Sequence, residues 1–116
     1  MKILVIEPLP ERGMRVRITD GDKWKAEKLL EHGQDIVAAI HALGRAGDEC
    51  KMIVVRAKIG SFSASRTALV AGTTLSATRG IELIIVEDSV ETVEDLLRAC
   101  KHSKKKFEYE HPPNIS

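Results

Sequence analysis

Apolar positions along the chain fall into short runs separated by turn signals, and their period changes part-way. Lys2–Ile6 is a compact, β-branched run stopped by Pro8, which predicts a buried strand. Pro8-Leu9-Pro10 with Gly13 is a turn. Met14-Arg15-Val16-Arg17-Ile18 alternates apolar and basic. That predicts a half-buried antiparallel strand with Arg15 and Arg17 facing water. Asp20-Gly21-Asp22 is a hairpin turn, so Lys23–Leu29 is expected to form a third strand. From His32 to about Ala46 the spacing becomes helical, with Ile36, Val37, Ile40 and Leu43 in phase and Gly44 and Gly47 at the end. Met52–Val55 is apolar without alternation, as in a strand covered on both faces. Ser61 is the expected N-cap of a helix over Phe62–Thr78, ended by Arg79-Gly80. Glu82–Val86 reads as another short strand. Asp88 or Ser89 is expected to cap a last helix from Val90 to about His102, with Val90, Val93, Leu96, Leu97 and Cys100 on one face.

The predicted order is β-β-β-α-β-α-β-α. Three hairpin-joined strands followed by strands separated by helices make a five-stranded mixed sheet in a single α/β domain. That domain is expected over residues 1–102. The tail Ser103–Ser116 lacks an apolar face and contains Pro112-Pro113, so it is expected to be disordered.

Composition narrows the function classes. The chain has 116 residues, room for one core only. Its 18 basic and 17 acidic residues leave a formal charge of +1, with no global attraction to nucleic acid or an anionic membrane. Aromatic residues are 3%, too few for a base-stacking platform. Cys50 and Cys100 lie far apart without metal-ligand spacing, and read as reduced, partly buried thiols. No stretch approaches the roughly 20 apolar residues that span a bilayer, and a cytoplasmic location is expected.

Three segments carry a resemblance. The chain opens Met1-Lys2-Ile3-Leu4-Val5-Ile6, its first helix is entered by Glu31-His32-Gly33, and its second by Gly60-Ser61-Phe62-Ser63 with Arg66. With the order of elements, these resemble the TsaB (YeaZ) family, glycoprotease-like proteins of tRNA threonylcarbamoyladenosine biosynthesis. The resemblance runs over about residues 1–88 and implies an actin-like, ribonuclease H-like half-domain. It also implies a non-catalytic subunit without cofactor. That subunit binds a TsaD-type partner, which transfers the threonylcarbamoyl group to adenosine 37 of tRNA. A homodimer in isolation is implied too, through the same two helices. The chain departs from the family pattern at several positions: Ile6-Glu7-Pro8 stands for Ile-Asp-Thr, Ile59 for a proline and Ser65 for a glycine. The resemblance extends over roughly the first of the family's two domains.

The second helix is the informative surface. It is small on nearly every side and carries only Arg66 and Arg79 as charges, whereas an exposed helix shows Lys and Glu. An interface is therefore expected at Ala64, Arg66, Thr67, Ala68, Ala71, Gly72 and Leu75, with Ile36 and Ile40 beside it. Gly60 and Ser61 at a helix start are a candidate anion site, although a bare Gly-Ser there is more often a cap. No catalytic residue and no metal ligand is expected. Ser61 has no base tied to it, His32 and His41 are not at i, i+4, and Glu7 with Asp20 or Asp22 is a weak acidic cluster. Lys101 and Lys104–Lys106 could touch tRNA, but Glu108 and Glu110 cancel part of their charge, so tRNA contact is expected to be indirect at most. The alternatives are a minimal glycoprotease-like or nucleotide-binding protein, or a degenerate homodimeric interaction module.

Overall fold

In the computed structural model the described residues form five strands and four helices in the order β1 (Ile3–Pro8), β2 (Met14–Asp20), β3 (Lys23–Leu30), α1 (Ile36–Ala42), α2 (Arg45–Asp48), β4 (Met52–Arg56), α3 (Phe62–Arg79), β5 (Glu82–Val86) and α4 (Val93–His102). The structure describes residues 1–10, 13–31, 35–57, 62–88 and 90–103, with the side chains of Ala46 and Phe62 left aside. The strands form one sheet in the order β3-β2-β1-β4-β5. β1, β2 and β3 are antiparallel neighbours, whereas β1–β4 and β4–β5 are parallel. This is the five-stranded mixed sheet expected from the chain's periodicity.

Strand alternation divides the core in two. Leu4, Ile6, Val16, Ile18, Ile53, Val55 and Leu83 face α1 and α3. Ile3, Val5, Val54, Ile84 and Val86 face Leu96 and Ala99 of α4. The three apolar strands are therefore covered on both sides, which explains their unbroken apolar runs. β3 alone stays largely exposed, and its three lysines suit an edge strand.

Local chemistry moves some boundaries. Asp35 caps α1, its carboxylate accepting from the backbone N–H of Val37 at 2.9 Å and of Ala38 at 3.3 Å. The expected single helix to Ala46 is broken at Gly44, whose φ of +69° suits glycine and starts the separate turn α2. The expected cap at Asp88 or Ser89 is corrected to Thr92, which accepts from Asp95 N–H at 3.0 Å. Val90 thus lies ahead of α4, although buried, and Leu97 faces outward. Ser89, His32, Ser61 and residues 104–116 lie outside the described residues, as do the tail and the Ser61 cap expected there.

Candidate protein interface and the Glu7 cluster

The penultimate residue of β1 is a carboxylate. By alternation Glu7 follows Ile3 and Val5 onto the α4 face, where it is 1% exposed. A lone buried carboxylate would be costly, and three guanidiniums surround it. Its Oε1 accepts from Arg15 Nε at 3.1 Å, Arg15 Nη2 at 2.6 Å and Arg17 Nη2 at 3.2 Å. Its Oε2 accepts from Arg56 Nη1 at 2.9 Å. Strand register builds this arrangement. Glu7 pairs with Arg15 across β1–β2, Val5 pairs with Arg17, and Arg56 ends the parallel neighbour β4.

The expectation that Arg15 and Arg17 face water is therefore corrected. Arg17 is 4% exposed. The connection from β5 to α4 crosses over the two arginines and ties to them. Arg17 Nη2 donates to Val90 O at 2.7 Å, and Nη1 to Glu91 O at 3.2 Å. Trp24 Nε1 donates to the same Glu91 O at 3.1 Å, while its ring lies 3.7 Å from the Arg17 guanidinium carbon. Arg15 Nη2 reaches the Glu91 carboxylate at 2.8 Å. That hydrogen bond, and then the Arg15 charge, hold the Glu91 carboxyl below its ordinary range. Burial, and then the charge of Arg15, push the Arg17 guanidinium down. Arg56, Trp24 and Glu91 were not legible as members of this cluster. The one signal was Glu7 itself, an acid at the end of an otherwise apolar strand.

The other sheet face carries the helices expected to form an interface. Here the structure separates the expected residues. Ile36, Ile40, Ala68, Ala71, Gly72 and Leu75 are buried in the core, with Ala68 at 0% exposure. Ala64 packs against that same core. Their burial is a correction to the expected interface role: the small Ala64, Ala68, Ala71 and Gly72 let α3 lie close on the sheet. A Cβ added to Gly72 would come within 2.5 Å of Val55 Cγ2. α4 packs on the opposite sheet face, so it does not cover α3. The outer side of α3 presents Ser63, Arg66, Thr67, Val70 and Thr74, all exposed. Between this side and α1 lies an open groove of about 530 Å³, lined by Asp35, Ile36, Val37, Ser63, Arg66, Thr67, Val70, Ala71 and Thr74. Val70 at 61% and Val37 at 36% are among the most exposed large apolar side chains. Gly60 and Ser61, the candidate anion site, lie outside the described residues. His41 and His102 are exposed and belong to helices on opposite faces of the sheet. Among the described residues no group of three or more His, Cys, Asp or Glu could hold a metal.

Solved structures share the overall fold of this chain. The chain is similar to YeaZ from Pseudomonas aeruginosa, with a TM-score of 0.61 at 15% identity over 75% of this chain and 44% of that one. It is also similar to Thermus thermophilus RuvC, with a TM-score of 0.53 at 14% identity over 96% of this chain and 86% of that one. The fold is actin-like and RNase H-like. At these identities the likeness is one of fold, and the chain spans less than half the length of the YeaZ structure. No protein-family model matches the chain, and no curated protein matches it in sequence. Among the described residues no helix is long and apolar enough to cross a membrane.

Proposed function

We propose that this protein is a non-catalytic, TsaB-like scaffold subunit of the cytoplasm. It docks a TsaD-type partner in threonylcarbamoyladenosine modification of tRNA, and pairs with itself when that partner is absent. The observation that carries the reading is the groove between α1 and α3, with Val37 and Val70 standing out of it beside the exposed Arg66. Exposed aliphatic side chains beside Arg66, with the Asp35 carboxylate engaged in capping α1, suit a partner helix that brings apolar anchors and a carboxylate. The buried network supports the non-catalytic half of the reading. Glu7, the carboxylate at the end of the central strand, is engaged by three arginines and is not available as a base or a metal ligand. The enzyme alternative would need such a group free in a cleft.

The test uses Val70→Glu and Arg66→Glu, because Ala68 and Ala71 serve the core. A TsaD-type protein from the same organism is expected to co-purify with the wild type. Each variant is expected to weaken that binding by at least about tenfold, as for anchors at an interface centre, with unchanged circular dichroism. If no TsaD-type protein binds the wild type, the subunit reading is wrong. If both variants bind as well as wild type, the partner sits elsewhere.

A further inference from the structure

At the carboxyl ends of β1 and β4 the chain departs in opposite directions, from β1 to β2 and from β4 through α3 to β5. In open sheets with parallel strands this is where a crevice forms and ligands bind. Here the position holds Glu7, Arg15, Arg17, Arg56 and Glu91. Three guanidiniums face two carboxylates, so these five side chains carry one positive charge in excess. The donors are spent unequally. Arg15 gives Nε and Nη2 to carboxylates, and Arg17 gives both Nη atoms but leaves its Nε buried without an acceptor, with the Trp24 ring lying over its guanidinium. Arg56 gives Nη1 alone. Its Nε is buried without an acceptor, and among the described residues its Nη2 makes no hydrogen bond. The Nε–Nη2 edge of an arginine matches the two oxygens of a carboxylate. A buried donor without an acceptor is unfavourable until one arrives. The side chain keeps 16% of its surface open, which is a route for the acceptor.

We propose that the crevice at the carboxyl ends of β1 and β4 binds a ligand carboxylate on the unspent edge of Arg56. One negative charge balances the cluster. The flat Nε–Nη2 edge takes the two oxygens of a carboxylate side by side, and beside Glu7 and Glu91 a doubly charged phosphate is the poorer match in charge. The site lies on the sheet face opposite the α1/α3 groove and stands independently of the partner-docking reading.

The experiment follows arginine Nε–H resonances of the full chain during titration with acetate, inorganic phosphate or neutral acetamide at constant ionic strength. Acetate is expected to give a saturable shift, largest at Arg56 and smaller at Arg15. Acetamide is expected to give none, and phosphate to bind more weakly than acetate. Arg56→Lys keeps a cation beside Glu7 but lacks the paired edge, and is expected to bind acetate at least about tenfold more weakly, read at Arg15. Equal acetate affinity in wild type and Arg56→Lys overturns the proposal, as does tighter binding of phosphate. If Arg56→Lys does not fold, the wild-type titration decides. There, a shift at the exposed Arg98 as large as at Arg56, or no saturation, overturns it.

Discussion

Glu7 stands where another apolar residue would continue β1, and its neighbours are organised around that choice. Because Glu7 and Arg17 are both buried, removing the carboxylate leaves charge with no counterpart. Glu7→Gln is expected to lower the unfolding free energy by about 3–5 kcal/mol, the range for a broken buried ion pair, read by denaturant melts. Glu91 works at the rim of the same cluster. Its folded pKa lies below its unfolded value, so its contribution is present above the unfolded value and is lost as pH falls through the folded one. Acidification through that window is expected to loosen the connection between β5 and α4, read as a change in Trp24 emission before global unfolding. Cys50 is the opposite case: burial pushes its thiol up to about 11. At neutral pH it is expected to resist a thiol reagent until the domain unfolds, while the half-buried Cys100 reacts first.

The helices differ in what their sequence face means. α4 is amphipathic, with Leu96 and Ala99 inward and Glu94, Arg98 and Lys101 outward, so its orientation follows from the pattern. α3 has small or hydroxyl residues nearly all round, and its pattern does not say which side meets the sheet. The inner side is recognised from the contact at Gly72. Gly72→Ala is expected to cost about 1–3 kcal/mol, because the new methyl group meets the stiff, β-branched Val55. Val70→Ala, on the outer side of the same helix, is expected to stay within about 0.5 kcal/mol of wild type in the monomer. A calorimetric comparison of the two variants checks both the depth and the direction of the helix face.

For the whole molecule, one surface serves both proposed assemblies. A homodimer and a complex with a TsaD-type partner would both use α1 and α3, so each should deplete the other by mass action. Apparent affinity for the partner is expected to fall as the concentration of this protein rises. A dimer of this kind should bury at least about 1,000 Å² in total. A light-scattering mass of one chain at all concentrations would remove the dimer from the scheme. The proposed domain limit is tested by a chain ending at Ser103, whose Oγ donates to Ile85 O at 2.8 Å and ties the end of α4 to β5. That shortened chain is expected to keep the melting temperature of the full one.

Periodicity and turn chemistry alone determined the class and the order of elements. Short β-branched runs, the Asp20-Gly21-Asp22 turn and the later alternation of strand and helix periods suffice for a hairpin-first mixed sheet, because these signals act between near neighbours in the chain. The surroundings of Arg15 and Arg17 were decided only by tertiary structure. Alternation says that two arginines share a face, but not that Glu7 and Arg56 from adjacent strands and the segment around Glu91 will cover it. The same holds for α3. Small residues permit close approach, and whether a sheet or another chain approaches depends on where the crossovers place α1 and α4. Charge pairing and helix–sheet packing join residues distant in sequence, so they appear only when the chain has closed on itself.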